Sequence, residues 1–148
     1  MKEKCTDKRT IGESQFLGKL PGWKILKVEA FRLGLDCNGV FKKLTEEQIE
    51  REFNYIGPDR MPESIRVTLS YLHVTVLPAV LVHDLDYAIG GSEKEFHEAN
   101  RRMKHNMKIC LKEHRREFTF IGYWWERFNV HVAYRFCEKY GYEGWNKR

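Results

Sequence analysis

Long apolar runs are missing from this sequence of 148 residues, and no stretch approaches the roughly 20 apolar residues that a membrane-spanning helix requires. The charged start, Met1 to Arg9, is not followed by the apolar segment of a secretory signal. We therefore expect a soluble protein that stays in the cytoplasm. Internal repeats and low-complexity segments are absent as well, and the length predicts a single domain, 1–148.

Cysteine is scarce and scattered. The four residues of this type are Cys5, Cys37, Cys110 and Cys137. None of them forms the close pairs that are typical of metal sites or of disulfide frameworks, so we expect ordinary thiols, the last two inside helices. Motifs for a nucleophilic serine are also missing, and the sequence gives no sign of chemistry through a covalent intermediate.

The sequence is rich in apolar side chains and carries an excess of basic ones. Hydrophobic residues make up 42% of the chain and aromatic residues 14%, which is enough for one packed core. The formal net charge of +5 and the isoelectric point near 9.0 fit contact with a phospholipid or other anionic membrane surface, or with a phosphate backbone. Charge of this size more often serves solubility alone, and nucleic acid is not favoured as a partner.

The beginning of the chain predicts an irregular lead-in and a small β-hairpin. Residues 1–22 carry scattered charge and glycines, which is typical of a segment without regular structure. Residues 23–35 alternate roughly between apolar and polar side chains. Asn38-Gly39 follows as a turn signal, because both central positions of a hairpin turn favour positive φ. We therefore predict a hairpin at the start of the segment 23–52.

Two further patterns lie before the middle of the chain. Thr45 with Gln48 forms a capping-box pattern, which predicts a short helix that reaches about Phe53. Residues 65–76 then alternate and contain several β-branched side chains, so we expect them to be extended.

The second half of the chain predicts three helices. Pro78 suits the first turn of a helix over 78–89. Ser92 with Glu95 is a second capping box and opens the longest predicted helix, 92–116. A third helix is expected over 123–140, where a glycine ends it.

The most suggestive chemical feature is the pair His83-Asp84 on the first of these helices. Adjacent residues on a helix point about 100° apart, so one side chain can face a substrate while the other faces a metal ion. Tyr87 lies one turn further on, where its hydroxyl can support the same site.

The order of short motifs around this pair resembles that of small bacterial and phage phospholipase A2-like proteins. Before and around the pair the matching motifs are Gly57-Pro58, Pro62-Glu63-Ser64, Pro78-Ala79, His83-Asp84, Tyr87 and Gly90. After it they are Ala99-Asn100, Asn106-Met107, Ala133-Tyr134, Tyr140-Gly141 and Trp145. The resemblance covers about two thirds of the chain and leaves out the first fifty residues.

Together with the hairpin predicted from residues 23–41, this resemblance implies a mainly α fold with a small β part. Residues 53–148 would form a phospholipase A2-like core, in which two long helices accompany the helix that carries the His-Asp pair. Residues 23–52 would add the β-hairpin and the short helix to this core.

The resemblance also implies calcium-dependent hydrolysis of a phospholipid acyl ester. His83 would act as the general base that draws a proton from water, with Tyr87 as a support. Asp84 would bind calcium, which takes oxygen ligands and stabilises the developing oxyanion. Backbone carbonyl groups of the loop from Tyr55 through Gly57 to Asp59 would supply the remaining ligands.

Two positions depart from the family pattern. Asn100 stands where the family has an aspartate that accepts the second imidazole N–H; an asparagine orients the ring but does not offset its charge, and the analogous exchange in serine proteases costs roughly four orders of magnitude in rate. Asp59 stands where the family usually has glycine, and we favour a turn there over a carboxylate ligand. For Asp86 we expect an exposed position on its helix rather than a place near the metal.

These departures leave an alternative of another class. The chain would then be a non-catalytic binding or structural module on the same scaffold, of phage or mobile-element origin. A metal-dependent phosphohydrolase of the His-Asp type is less favoured, because it would need ligands on helices before His83. Trp124-Trp125 is either an interfacial patch or part of the core, and the basic face from Arg101 to Arg116 is expected to be solvated.

Overall fold

A computed structural model describes residues 20–57 and 60–145, with the backbone alone at position 71. The predicted lead-in therefore lies almost wholly outside the described residues, as does Asp59. Helices account for the regular structure of the described part. In chain order they are α1 (Trp23–Arg32), α2 (Val40–Lys43), α3 (Glu46–Glu52), α4 (Glu63–Leu72), α5 (Leu77–Ile89), α6 (Glu93–Glu113), α7 (Phe120–Tyr140) and α8 (Tyr142–Trp145), with short 3-10 turns at Val74–Val76 and Arg115–Glu117.

The predicted β-hairpin is wrong, since no strand occurs within the described ranges. Residues 23–32 form α1, whose buried side chains Trp23, Leu26 and Ala30 recur at helical spacing. Asn38 and Gly39 do adopt the expected positive φ, 47° and 69°, but they lead into the short helix α2 instead of a second strand. The positive φ values agree with the turn signal, but the hairpin that this signal was taken to indicate is absent from the described residues.

The extended segment predicted over 65–76 is also wrong. It forms α4 and the 3-10 turn that leads into α5. The hydroxyl group of Thr68 donates to the carbonyl oxygen of Ser64, 2.8 Å away, one helical turn earlier. Ser70 is fully buried and accepts a hydrogen bond from the backbone N–H of Ile56 at 3.0 Å. The contact of Ser70 with Ile56 joins two separate segments, and tertiary contacts such as this one outweigh the weak strand preference of β-branched residues.

Helix α5 lies at the centre of the molecule. Its residues are buried on nearly all sides of the helix, and this pattern is typical of a helix inside a core. Helices α1, α2 and α3 pack on it from the N-terminal part of the chain, and α6 covers another side. Helix α7 packs on α6 and has a single fully buried residue, Val130. Helix α6 thus contacts both the core helix and α7.

The two predicted capping boxes are present. Thr45 caps α3 and Ser92 caps α6, and in each the side chain three residues later reaches back to the backbone N–H of the cap. The third predicted helix begins earlier than expected, at Phe120, because the hydroxyl of Thr119 accepts a hydrogen bond from Gly122 N.

No single helix in the described part of the chain is long and apolar enough to cross a membrane. The segments 63–70 and 74–89 together have the length and composition of a membrane-spanning helix, but they are bent by 86° relative to each other.

Candidate functional site

Helices α5 and α6 bring three of the predicted site residues together. The Nε2 atom of His83 lies 3.0 Å from Oδ1 of Asn100, and the hydroxyl group of Tyr87 donates to the same oxygen at 3.0 Å. His83 and Asn100 are buried, while Tyr87 is partly buried. The contact that the sequence suggested between positions 83 and 100 is therefore present.

The hydrogen bonds of Asn100 indicate which nitrogen of His83 carries a proton. The Nδ2 group of Asn100 donates to the Oε1 atom of Glu138 at 2.8 Å. An ionised carboxylate only accepts hydrogen bonds, so the amide nitrogen must face Glu138 and the amide oxygen must face the ring. That oxygen cannot donate, and Nε2 of His83 must therefore carry the hydrogen. In the neutral ring the lone pair is then on Nδ1.

Burial makes the neutral form of His83 the preferred one. Loss of solvent lowers the pKa of the imidazole below its ordinary value of 6.5, and the hydrogen bond to Asn100 only partly opposes this effect. Among the groups that the structure describes, the hydrogen bond of the His83 ring is made by Nε2. The site thus holds an imidazole with an unprotonated nitrogen, which is the state that a general base requires.

Glu138 is a member of the site that the sequence analysis missed. Its carboxylate accepts from Asn100 through Oε1 and pairs with Nδ1 of His97 through Oε2, at 2.8 Å in each case. The available signal was faint: α7 contains two acidic residues, Glu126 and Glu138. Both bind a histidine outside α7: Glu138 binds His97 of α6, and Glu126 lies 2.9 Å from Nδ1 of His73, the residue that follows α4.

The aromatic residues at the end of the chain close one side of this group. Trp145 packs edge-on against the ring of Tyr87, with 5.2 Å between the ring centroids, and its indole N–H donates to the carbonyl oxygen of Gly91 at 3.0 Å. Phe96 lies beside both rings. Burial raises the pKa of the Tyr87 hydroxyl, so this group stays protonated and remains a donor to Asn100.

Three of the predicted calcium ligands, Asp84, Tyr55 and Gly57, lie in the described part of the chain. Burial raises the pKa of the Cys137 thiol, and the negative charge of Asp84 adds to this effect, so the carboxylate lies near this residue of α7. The hydroxyl of Tyr55 donates to the carbonyl oxygen of Pro21 at 3.3 Å, and the side chains of Met61 and Arg66 pack against Gly57.

Asp59 lies outside the described residues, and the described residues contain no group of three or more His, Cys, Asp or Glu side chains suited to a metal ion. A calcium ion takes six to eight oxygen ligands, so the carboxylate of Asp84 would need several backbone carbonyl groups beside it.

Asp86 was expected on an exposed helix face, and this prediction is wrong. Its carboxylate is only 3% exposed and pairs with Nη1 of Arg102 at 2.7 Å. The side-chain amide of Asn38 donates to it at 3.2 Å, and Arg102 also binds Asp36 at 3.2 Å. This ion-pair cluster joins the turn before α2 to α5 and α6, next to the buried imidazole.

Two shallow surface depressions lie away from His83. One, of about 540 Å³, is lined by Phe120, Ile121, Trp124, Trp125 and Phe128 on α7. The other, of about 320 Å³, is lined by Asp36, Glu98, Arg101, Arg102 and His105.

Comparison of the chain with protein-family models, with curated proteins and with solved structures gave no match. Arguments about function therefore rest on the residues themselves.

Proposed function

We propose that this chain is a phospholipase A2-like esterase that hydrolyses a phospholipid acyl ester with His83 as the general base. The 3.0 Å contact between His83 and Asn100 is the observation that carries the proposal. It holds the hydrogen on Nε2 and leaves Nδ1 to accept a proton. The helix position of the His-Asp pair, with Tyr87 bonded to the same amide oxygen, supports the same arrangement.

In the proposed reaction Nδ1 of His83 takes a proton from a water molecule, whose oxygen attacks the carbonyl carbon of the ester. The tetrahedral intermediate then breaks the bond to the alcohol oxygen, which receives the proton from the imidazolium. The products are a fatty acid and a lysophospholipid. Calcium would be held by Asp84 and by backbone carbonyl groups at Tyr55 and Gly57, and it would supply electrostatic stabilisation of the oxyanion in such chemistry; no step is assigned to it.

Asn100 limits the rate of this reaction, because a neutral amide does not offset the positive charge of the imidazolium. The nearest negative charge on this path is the carboxylate of Glu138, one hydrogen bond further away. Glu138 polarises the amide and so strengthens its oxygen as an acceptor, an effect that is modest compared with direct contact. We therefore expect slow turnover.

The test is release of fatty acid from mixed liposomes, measured with calcium and with a chelator. His83→Ala should abolish release, and His105→Ala should leave it unchanged, since His105 is an exposed histidine of α6 outside the site. Release that persists in a folded His83→Ala variant would refute the assignment of the base. Release that needs calcium, and that Asp84→Asn abolishes, would support the predicted role of Asp84 as a calcium ligand.

The second candidate is a non-catalytic scaffold, and one observation favours it. His83 is 8% exposed and Asn100 is fully buried, and the polar groups of Asn100 are bonded to neighbouring helices. Buried polar groups that satisfy one another are common in structural cores. Absence of turnover both in the wild type and in Asn100→Asp would favour this function.

A further inference from the structure

Helix α7 exposes an unusual number of large apolar side chains. This set, called here the α7 apolar face, consists of Phe120, Ile121, Trp124, Trp125, Phe128, Val132, Phe136 and Tyr140, and each member is between 47% and 80% exposed. The face points away from Val130 and Cys137, the side by which α7 packs on the rest of the molecule. It is therefore a surface that the described residues leave uncovered.

The area of the α7 apolar face is that of a stable interface. Fully buried aromatic side chains cover roughly 150–250 Å² each. Six such residues that are about half exposed, together with an isoleucine and a valine, present roughly 700–900 Å². The largest apolar patch on a typical monomer is about 300–600 Å², and a stable complex buries about 800 Å² on each partner.

The arrangement of the face is symmetric along the helix. Six of its members recur every fourth residue, namely Phe120, Trp124, Phe128, Val132, Phe136 and Tyr140. Reversal of the helix about residue 130 exchanges these positions in pairs, so the reversed helix again carries an apolar side chain at each of them. Rows with this spacing form the ridges that interdigitate in the commonest class of helix packing. A two-fold axis at the level of residue 130 would place Phe128 opposite Val132 and Trp124 opposite Phe136.

We propose that the α7 apolar face binds the same face of a second copy of this chain, with the two α7 helices antiparallel. A two-fold interface has to be self-complementary, which the row of apolar side chains satisfies. The same axis places Arg135 opposite Trp125, a pairing suited to a cation–π contact. In a parallel pair, by contrast, Arg135 and Lys139 would each lie next to the same residue of the second chain, where the like charges repel.

A lipid surface is the less suitable occupant. The α7 apolar face points away from Val130 and Cys137, and the network that contains His83 and Glu138 lies on that inner side of α7. A bilayer on the α7 apolar face would therefore lie on the far side of α7 from the imidazole. The dimer proposal does not depend on the esterase proposal, and either one can fail alone.

Sedimentation equilibrium of the full chain is the first test. We expect a mass of twice 17.7 kDa at micromolar concentration. Phe128→Glu should raise the dissociation constant roughly 100-fold or more, because each dimer loses two central contacts. Val28→Glu is the matched control: Val28 is an apolar residue of α1 that is 69% exposed, and its variant should remain dimeric. Circular dichroism checks that both variants are folded.

Crosslinking tests the orientation. A chain with Phe128→Cys, mixed with a chain with Val132→Cys, should form a disulfide between unlike chains faster than either chain forms one alone. A monomeric wild type that binds anionic vesicles through its tryptophans would overturn the proposal in favour of a lipid surface. Dimerisation that appears only after removal of residues 1–19 would overturn it in favour of a cover from the same chain.

Discussion

The side-chain amide of Asn100 has a different neighbour on each side. Its oxygen accepts hydrogen bonds from His83 and Tyr87, and its nitrogen donates to Glu138. An aspartate at this position would meet the ring equally well but would confront the Glu138 carboxylate at 2.8 Å. A carboxylate at position 138 therefore requires a hydrogen-bond donor at position 100, which an amide provides and an ionised aspartate does not.

Exchanging these two groups should speed up ester hydrolysis. In the double variant Asn100→Asp with Glu138→Gln, the new glutamine donates to the new aspartate, and the aspartate offsets the imidazolium directly. We expect a higher kcat, with a ceiling of roughly four orders of magnitude. Asn100→Asp alone should gain less, because two carboxylates in contact retain a shared proton. Liposome assays of both variants measure the difference, and equal rates in the double variant and the wild type would contradict it.

The burial of His83 predicts a loss of stability in acid. The pKa of its imidazole is lowered in the folded state, so the unfolded chain binds a proton below about pH 6.5 while the folded chain resists it. Above about pH 6.5 the imidazole is neutral in both states, and its burial does not reduce the free energy of unfolding. This free energy falls as the pH drops toward the folded pKa, by at most about 1.4 kcal/mol per pH unit.

Denaturant unfolding between pH 8 and pH 5 measures this effect. The slope of stability against pH should become shallower in His83→Gln and should keep its wild-type value in His105→Gln, where the histidine is exposed. Parallel curves for the wild type and His83→Gln would show that the imidazole titrates normally.

At the scale of elements, the structure depends on how α5 is held by its neighbours. Apolar contacts surround most of this helix, but Asp86 is held to α6 by Arg102 and to the turn before α2 by Asn38. A buried ion pair of this kind adds little over an apolar pair, yet loss of one partner leaves an uncompensated charge. The cluster therefore fixes the position of three elements.

Arg102→Ala should destabilise the protein by about 3–5 kcal/mol, because Asp86 keeps its buried charge without the guanidinium. The adjacent Arg101 is exposed, and Arg101→Ala should change the free energy of unfolding by less than about 0.5 kcal/mol. Urea denaturation compares the two variants. A loss below about 1 kcal/mol in Arg102→Ala would mean that Asp86 finds another partner or becomes protonated.

The sequence predicted those elements whose signals are local. The caps at Thr45 and Ser92 are side-chain hydrogen bonds within four residues, and both helix starts are where these patterns indicate. The segments 23–35 and 65–76 were misassigned, since short runs of apolar and β-branched residues fit a helix or a strand until their partners are known. For the same reason the contact of His83 with Asn100 came from motif order, whereas Glu138 could not be found.

On the scale of the whole molecule, the polar network and the α7 apolar face are separate. The network lies between α5, α6 and the inner side of α7, and the apolar face lies on the outer side of α7. A monomer would expose the aromatic side chains of this face to water at a cost that association removes.

Thermal stability should therefore depend on protein concentration. A native dimer that unfolds to separate chains gains stability by mass action, so the Tm should rise over a hundredfold increase in concentration. Phe128→Glu should remove this dependence, and Val28→Glu should retain it. Calorimetry or circular dichroism at several concentrations provides the measurement. A constant Tm in the wild type would contradict the dimer.

Because one helix serves both the network and the outer surface, its length between Phe128 and Glu138 is constrained. Each added or deleted residue would rotate one end relative to the other by about 100°. The connection between α6 and α7 has no such requirement. Natural variants of this chain are thus expected to carry insertions near residues 114–119 and to vary within α7 by substitution alone.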